Sequence, residues 1–550
     1  MYLHDNNHIS PKVRVGMIVL LVICFGIVLS NDSGWSQSVP SPTAENSRNG
    51  REKPASFSLE LKGLDQIDFE VMPPVDLAEI QREDSLREAT LIEPEPYRFA
   101  VAIPVEFGLE NSGTWEDLPD GSRIWRLRII SKQAQTINLK FNRFDIPEGG
   151  KLWLYDPARE LVQGPYVPFD RTPKGELWTA MTLGEEMVVE LYVPPRSESE
   201  PSLVIGSVNH GYRGFGREGK SCYLNINVVC PLGDLLRNEI RSVAKITIAG
   251  KGTCSGQLLN NVCQDCLPYF LTARHCLKSA DPNSIVFYWN YQSPNCTDVG
   301  GGNLADNQTG AVFHAAYTHS DFGLLRLKSR PSPSFNVYYS GWNAAVFIPD
   351  HGFCIHHPKG DEKAISKDNG PLYSSDYGPS PVGANYYWMI KCLDQGVLEK
   401  GSSGCGVWHY DNGGFLVGQL RGGYCSCDNP TGSEYFGKFS VSWSTGTQPI
   451  TRLRDWLDPN NTGTLRMPGR NCDCQDQLIE NITYSLTEYI VEAATFIMAG
   501  ENVGAPIPDG PVVVKPDSEV LYQAGDHINL MPGFSVRSGG LFRAIIAPCP

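Results

Sequence analysis

Three residue types that together make a nucleophilic site occur in one order along the chain. An apolar segment, Tyr269 to Ala273, leads to His275; Asp321 directly precedes the alternating run Phe322 to Leu327; and Ser403 lies between glycines in Gly401-Ser402-Ser403-Gly404. A serine hydroxyl is a poor nucleophile until an imidazole accepts its proton, and the imidazole needs a carboxylate that fixes its tautomer. Taken singly, each fragment is typical of a strand end, a turn or a loop. Taken in this order, they predict a catalytic triad of His275, Asp321 and Ser403.

The glycines around Ser403 predict the second half of such a site. A tight turn aims the backbone N–H groups of Gly401 and Ser403 at one point, which is how an oxyanion hole is built. Glycine at position 401 permits the positive φ that this turn commonly needs. This chemistry requires no cofactor and no metal ion.

Composition indicates where such a site would be housed. The chain has 550 residues, with 46 Lys and Arg against 61 Asp and Glu, a net charge of −15 that disfavours nucleic-acid binding. Fifteen of the 16 cysteines follow residue 220, which predicts a disulfide framework and an oxidising compartment. Lys12 and Arg14 precede the apolar run Val15 to Leu29, as in a signal peptide, so we expect export to the extracellular space or cell surface. The alternative is an uncleaved membrane anchor, for which fifteen apolar residues are short.

The chain divides by pattern into five segments, and strands dominate after residue 96. We expect a signal peptide at 1–35, a loosely ordered linker at 36–95, a β-sandwich at 96–205, a cysteine-rich β domain at 217–468 with a helix at 450–457, and a stacked β-repeat module at 475–550. The sandwich is predicted from alternating runs at 124–130, 137–141, 151–155 and 187–193. A triad in the order His, Asp, Ser within about 250 disulfide-rich residues is typical of a chymotrypsin-like double β-barrel. The predicted fold class is therefore all-β.

The segment from Ser221 to about Gly463 resembles the lysyl endopeptidase (Achromobacter protease I) family of trypsin-type serine proteases. The resemblance rests on five stretches outside the triad: Cys222 to Pro231, Tyr288 to Gln292, Ile355 to Pro358 with Glu362-Lys363, Gly418 to Gly423, and Asp455 to Pro459. It implies a secreted serine endopeptidase that acts on proteins or peptides. The sandwich resembles the propeptide domains of such proteases. The last module resembles a coat-hanger-like repeat of secreted Bacteroidetes proteins, which implies possible attachment to a cell surface.

The resemblance also implies a specificity site. The family cleaves after lysine by means of an acidic residue, and Glu434 occupies the position where the family carries Asp. A carboxylate there favours a cationic side chain, but the longer Glu shortens the pocket, so this residue does not distinguish Lys from Arg. Arg421 stands at the position of a family histidine and Tyr377 at that of a tryptophan, which implies an Arg–Tyr stack beside the triad. The alternative for Glu434 is a solvated loop residue.

The cysteines carry a further set of expectations. By position, the family's disulfides are Cys222–Cys427, Cys230–Cys296 and Cys254–Cys276. A bond between Cys392 and Cys405 would brace the nucleophile turn. Zinc binding is the alternative for some of these cysteines, and the expected export of the chain disfavours it. It is suggested by His356-His357 and by the close pairs Cys263/Cys266, Cys425/Cys427 and Cys472/Cys474.

Two functional readings follow. The first is a secreted, monomeric serine endopeptidase that cleaves after a basic residue through an acyl-enzyme. Ser402 stands where trypsin carries the Asp that pairs with a freed N-terminal amine, so activation by that ion pair is not expected. Cleavage near Lys220-Ser221 or Arg217 would still remove the sandwich as a pro-domain. The second is a binding or adhesion protein on a protease scaffold of weak activity, suggested by the departures at Arg421, Cys405 and Glu434.

Overall fold

The computed structural model describes residues 52–90, 93–213, 221–278, 280–297 and 300–472, and then 477–479, 481–484, 488–493, 496–501, 503, 510–516, 518–524 and 527–546. The predicted signal segment, 1–35, lies outside these residues. Within them, no helix combines the length and the apolar character needed to cross a membrane.

Two mainly antiparallel sheets form a sandwich ahead of the cysteine-rich region. The four predicted runs all lie in strands, because side chains alternating in polarity place one face of each strand in a shared core. One sheet contains Phe69–Val71, Thr114–Asp117, Arg123–Ile130, Lys151–Tyr155, Val162–Tyr166 and Glu186–Val193. The other contains Ala100–Gly108, Thr136–Asp145, Leu177–Trp178, Thr182–Leu183 and Ser202–Gly211. Their inner faces bury Trp125, Leu139, Phe141, Leu154 and Leu191, among others.

The segment before the sandwich is more structured than the sequence indicated. It contains the short strand Phe69–Val71 and the helix Leu77–Thr90, instead of the loosely ordered linker expected at 36–95. The buried carboxylate of Asp84 anchors the helix, since it accepts from Arg98 Nε at 2.7 Å and from the Tyr212 hydroxyl at 2.6 Å. These partners are distant in sequence, so the helix depends on tertiary contacts that no local pattern displays.

Two further, mainly antiparallel sheets form the double barrel of a chymotrypsin-like fold. The first contains Tyr97–Arg98, Val243–Ile248, Gly252–Leu259, Tyr269–Ala273, Ile285–Tyr288, Asn307–Thr309, Ala311–Tyr317 and Phe322–Leu327. The second contains Ile226–Asn227, Gly341–Asn343, Gly352–His356, Ala364–Asp368, Tyr373–Ser375, Tyr387–Ile390, Gly406–Tyr410, Gly414–Gly423, Glu434–Lys438 and Arg466–Met467. Tyr338–Tyr339 pairs with Arg470–Asn471 in a separate ribbon. Trp342, Trp408, Leu271 and Leu324 share one core, which joins residues of both sheets.

Helices are short in this region and lie at the edges of the barrels. They are Arg237–Ser242, Arg274–Leu277, Phe439–Ser444 and Arg454–Leu457. The predicted helix at 450–457 is divided into a 3-10 turn, Pro449–Thr451, and the single α-turn Arg454–Leu457. The remaining 3-10 turns are Ala55–Phe57, Leu64–Gln66, Pro168–Asp170, Pro231–Leu236, Pro282–Ser284, Pro333–Phe335 and Pro358–Gly360.

The C-terminal segment is a stack of parallel strands. Its three sheets are Gln477–Ile479 with Phe496–Ala499 and His527–Leu530, Thr483–Tyr484 with Val512–Val514 and Phe534–Val536, and Glu488–Ala493 with Glu519–Ala524 and Leu541–Ile546. Val512, Val514, Val520 and Tyr522 are buried between them. The Gly525-Asp526 turn that helped to predict this stack lies outside the described residues.

Candidate active site

His275 and Asp321 are brought together by pairing of the strands that flank them. Tyr269–Ala273 ends directly before the turn of helix that carries His275, Asp321 directly precedes Phe322–Leu327, and the two strands pair in the register Ala273 to Phe322. His275 Nδ1 lies 2.7 Å from Asp321 Oδ2, and the His275 backbone N–H donates to Oδ1 at 3.1 Å. Both side chains are buried. The carboxylate therefore holds His275 by one contact to the imidazole and one to the backbone, and it leaves the other ring nitrogen for chemistry.

The backbone at Asp321 has an unusual conformation that serves this contact. Its φ is +56°, a left-handed value that Asp tolerates better than most residues. The Asp321 carbonyl accepts from Arg274 N at 2.7 Å, which secures the turn to the histidine-bearing helix. This backbone conformation directs the Asp321 carboxylate toward the neighbouring strand, where it contacts His275.

Ser403 lies in a turn that only glycine allows on both sides. Gly401 and Gly404 have φ of +90° and +84°, and a Cβ on Gly404 would lie 2.2 Å from Thr272 Oγ1 and 2.5 Å from the Ser255 carbonyl. The Ser403 carbonyl accepts from Ser255 N at 2.9 Å. The turn is therefore packed directly against the first barrel, beside His275, with Ser403 only partly buried.

The N–H groups of this turn are used unequally. The N–H of Ser402 donates to the Glu399 carbonyl at 3.0 Å, and that of Gly404 donates to the Leu420 carbonyl at 2.8 Å. The N–H of Cys405 donates to the Ser402 carbonyl at 3.0 Å. The N–H groups of Gly401 and Ser403 have no acceptor among the described residues. Donors left without a protein partner beside a serine are what an oxyanion hole requires.

His275 Nε2 also stands without a partner. It is buried and has no hydrogen bond within the described part of the chain, so Ser403 Oγ is not in hydrogen-bond contact with it. Unbound serine-protease-type sites often hold this contact loosely, and it tightens when substrate occupies the site. A buried imidazole nitrogen without a partner is what a general base needs before a nucleophile approaches it.

Arg421 lies beside Asp321, but not in the arrangement that the resemblance implied. Its Nη1 is 3.4 Å from Asp321 Oδ2, and the side chain is buried. Tyr377 stacks instead on Tyr435, with ring centroids 3.8 Å apart and planes 1° from parallel. The expected Arg421–Tyr377 stack is not present, since the flat face of Tyr435 in the adjacent strand takes up the Tyr377 ring.

Glu434 is a buried carboxyl at the start of the strand Glu434–Lys438. It is 3% exposed, and its Oε1 accepts from Cys425 N at 2.8 Å. Burial raises the pKa of this carboxyl to about 8, against which the single backbone hydrogen bond acts only weakly. No Lys or Arg among the described residues forms an ion pair with it. The reading of Glu434 as a solvated loop residue is wrong.

Four disulfides join cysteines among the described residues. Three are Cys222–Cys427, Cys230–Cys296 and Cys254–Cys276, the pairs that the resemblance implied. The fourth, Cys266–Cys472, closes a separation of 206 residues and was not anticipated. The expected Cys392–Cys405 bond is wrong, because both residues are free thiols, Cys392 exposed and Cys405 buried.

Several of the residues suggested as zinc ligands have other partners, whereas Cys263 and Cys425 are free thiols and Cys474 lies outside the described residues. Cys266, Cys427 and Cys472 are used in disulfides. His356 contacts the hydroxyls of Ser402 and Ser366 at 2.8 and 3.1 Å, and His357 Nδ1 contacts the Asp361 carbonyl at 2.9 Å. The two histidines thus support the nucleophile turn and its neighbouring loop.

Sequence reasoning missed two acidic residues, from the segment before the double barrel, that contact the candidate active site. Glu88 pairs with Lys400, the residue before Gly401, at 2.7 Å, and Glu93 pairs with Lys278 at the same distance. The hydrogen bond from Lys278 lowers the pKa of Glu93, and the charges of Arg421 and Arg274 add to this effect. No local signal predicts these contacts, because Glu88 and Glu93 read as ordinary charges in a polar leader.

Comparison with known proteins agrees with this architecture. Residues 218–437 match the model of the family described as lysyl endopeptidase, C-terminal domain. The lysyl endopeptidase of Pseudomonas aeruginosa PAO1 is 28% identical, with 60% of this chain and 76% of that protein covered.

Solved structures were also compared. The thermostable serine protease AL20 from an extremophilic microorganism is 14% identical, with 36% of this chain and 92% of that chain covered at a TM-score of 0.26. Rv3671c from M. tuberculosis H37Rv, in an inactive form, is 17% identical, with 39% and 91% covered at a TM-score of 0.25. The matched family model and the curated relative support one conclusion: this chain is a lysyl endopeptidase-like protein and a serine endopeptidase.

Proposed function

We propose that this protein is a secreted endopeptidase that hydrolyses peptide bonds after lysine through Ser403. Ser403 attacks the scissile carbonyl, His275 accepts its proton and passes it to the leaving amine, and Asp321 orients the imidazole. The N–H groups of Gly401 and Ser403 hold the oxyanion, and water then resolves the acyl-enzyme. The observation that carries the proposal is the buried pair His275 Nδ1 to Asp321 Oδ2 at 2.7 Å, which leaves His275 Nε2 unpartnered near the serine turn.

Specificity for a cationic side chain is supported by Glu434. Its carboxyl is buried close to the nucleophile turn, since its charge acts on the thiol of Cys405, two residues after Ser403. An unpaired buried carboxyl is costly to ionise, and a bound ammonium group would offset that cost. We favour Lys over Arg because the matched family model and the curated relative are both described as lysyl endopeptidases.

The segment before residue 221 is, in this proposal, a pro-region that covers the active-site cleft. Glu88 bridges to Lys400 beside the oxyanion turn, and Glu93 bridges to Lys278 beside the His275 helix, so the leader contacts both sides of the triad. Exposed ion pairs contribute little energy each, about 0–1 kcal/mol. The stronger attachment is the buried face where Met181 N donates to the Tyr288 hydroxyl at 3.0 Å and Phe99 packs against the first barrel.

The domain assignment and location belong to the same proposal. We assign 1–35 as a signal peptide, 96–205 as the pro-domain, 217–468 as the protease domain and 475–550 as a repeat module that attaches the enzyme to a surface. The four disulfides fit an extracellular protein. The substrates are proteins or peptides.

The decisive experiment compares hydrolysis of peptides that differ only in Lys, Arg or Ala before the scissile bond, with Ser403→Ala as the matched control. We expect cleavage after Lys that disappears in the variant. Equal cleavage after Ala would support the assignment as a protease but rule out Glu434 as its specificity residue. Absence of Ser403-dependent cleavage in processed, folded protein would favour the binding-scaffold reading.

A further inference from the structure

Two histidines and an aspartate converge in the second barrel, outside the triad. Asp350 and His351 directly precede the strand Gly352–His356, and His409 lies in the strand Gly406–Tyr410 that pairs with it. Asp350 Oδ1 lies 2.7 Å from His351 Nδ1 and 3.0 Å from His409 Nε2. One ligand atom from each of the three side chains lies within 4.8 Å of the other two. A single carboxylate oxygen thus faces two imidazole nitrogens.

This cluster is open to solvent and has no competing cation. The side chains of His351, His409 and Asp350 are 26%, 15% and 78% exposed. No Lys or Arg among the described residues pairs with Asp350, whereas Asp411, two residues after His409, pairs with Arg466 at 3.1 Å. A cation can therefore reach the Asp350 carboxylate from solvent.

Aromatic contacts hold both imidazole rings in place. The His351 ring packs edge-on against Phe353 with centroids 5.9 Å apart, and the His409 ring packs in the same way against Phe347 at 5.4 Å. The centroids of the two imidazoles are 4.8 Å apart, and their planes are tilted by 42°. Because packing restrains these rings before any ligand arrives, little side-chain entropy is lost on binding.

The spacing of the ligand atoms suits a tetrahedral metal ion. Ligand atoms about 2.0 Å from a zinc ion lie about 3.3 Å from one another at the tetrahedral angle. The two nitrogen-to-oxygen distances, 2.7 and 3.0 Å, therefore need to widen by only about 0.3–0.6 Å. Two imidazoles and one carboxylate favour zinc over calcium and magnesium, which take oxygen ligands.

We propose that Asp350, His351 and His409 bind a zinc ion, with water as the fourth ligand. The ion replaces the two hydrogen bonds to Asp350 Oδ1, so the ring proton of each histidine moves to the nitrogen that faces away from the metal. For His351, this step gives up the contact in which Nε2 accepts from Tyr410 N at 3.3 Å, a distance longer than a good hydrogen bond. Tyr410 and His351 are both partly exposed, so water can bind the two N–H groups that lose their partners.

The zinc ion joins two neighbouring strands at the end that lies away from the nucleophile turn. The strands pair from Ile355 with Gly406, three residues after Ser403, to Phe353 with Trp408, directly before His409. The ion therefore links the loop before one strand to the end of the other. We expect it to stabilise the second barrel and not to take part in peptide hydrolysis.

The test measures zinc binding by the full chain without a histidine tag and with Ser403→Ala, which excludes self-cleavage. The exposed thiols of Cys263 and Cys392 are alkylated first, because thiolates also bind zinc. Calorimetric titration with zinc chloride gives the stoichiometry and the Kd, and urea midpoints are measured with and without zinc. The ligand variants are His351→Ala, His409→Ala and Asp350→Asn. The control is Asp411→Asn, which removes a nearby exposed carboxylate that belongs to a different ion pair.

We expect a site for one zinc ion whose Kd rises about tenfold or more in each ligand variant. Zinc should raise the urea midpoint of the parent chain, because it binds the folded state, and the ligand variants should lose this rise. Asp411→Asn should change neither quantity. If a histidine variant does not fold, Asp350→Asn decides the matter, since it alters a largely exposed side chain without changing its shape.

Absence of zinc binding, or binding that the ligand variants leave unchanged, overturns the proposal. Equal weakening by Asp411→Asn also overturns it, because that result indicates general attraction of zinc to surface charge. None of these results bears on hydrolysis by Ser403, which the peptide assay tests separately.

Discussion

Replacing Glu434 with Gln tests the link between one buried carboxyl and lysine specificity. Burial holds the pKa of Glu434 at about 8 instead of 4.5, which corresponds to a penalty of about 5 kcal/mol on the charged form. A lysine ammonium that enters the pocket must offset this penalty before it contributes affinity. Removing one member of such a buried charge pair costs at least about 2 kcal/mol, so Glu434→Gln should reduce the preference for Lys about 30-fold or more.

The same pKa predicts how specificity depends on pH. Below pH 8 the free carboxyl is mostly protonated, so binding of a Lys side chain must release a proton, and the preference should weaken by up to about tenfold per pH unit on acidification. The assay is the ratio of kcat/KM for a Lys peptide to that for a norleucine peptide between pH 6 and 9, because the titration of the triad cancels in the ratio. Glu434→Gln should make this ratio low and independent of pH.

A matched control separates specificity from a general effect of losing a buried acid. Asp368 is also largely buried, and burial raises the pKa of its carboxyl, but it lies on the strand Ala364–Asp368 with Gly370 N as its donor. Asp368→Asn should leave the Lys-to-norleucine ratio unchanged. A ratio that is flat with pH in the parent enzyme, or unchanged by Glu434→Gln, would refute the assignment.

Three other predictions address the turn, the stability and the leader. Gly404→Ala should abolish activity or folding, because its Cβ would lie 2.2 Å from Thr272 Oγ1. The control is Gly175→Ala, with φ of +79° and no atom within 4 Å, which reports the cost of the left-handed backbone alone, so that thermal unfolding of both variants separates the steric clash from the backbone strain. The pKa of Glu434 is higher in the folded state than in the unfolded state, so the folded protein binds one more proton between pH 4.5 and about 8, and its free energy of unfolding should fall as the pH rises through this range. Urea titrations should show a smaller fall in Glu434→Gln. Replacing Glu88 and Glu93 together by Gln should speed processing of the precursor, measured by gel time course, with Glu79→Gln on the exposed part of the same helix as the control.

The amino-acid sequence determined the parts of the site that depend on short segments. Alternating strands, a histidine after one of them, an aspartate before another and a serine between glycines each leave a local pattern, and their order pointed to the double barrel. The tight turn at Ser403 follows from Gly401 and Gly404, whose φ values other residues rarely adopt.

Only the tertiary structure decided the contacts between segments far apart in the chain. It paired Tyr377 with Tyr435, Cys266 with Cys472, Glu88 with Lys400 and Ser221 with Asp361. Periodicity reports which face of a strand is buried, but it does not report which distant side chain packs there. The physical reason is that such partners are selected by the packing of whole sheets against one another, and a single sequence carries no local record of that choice.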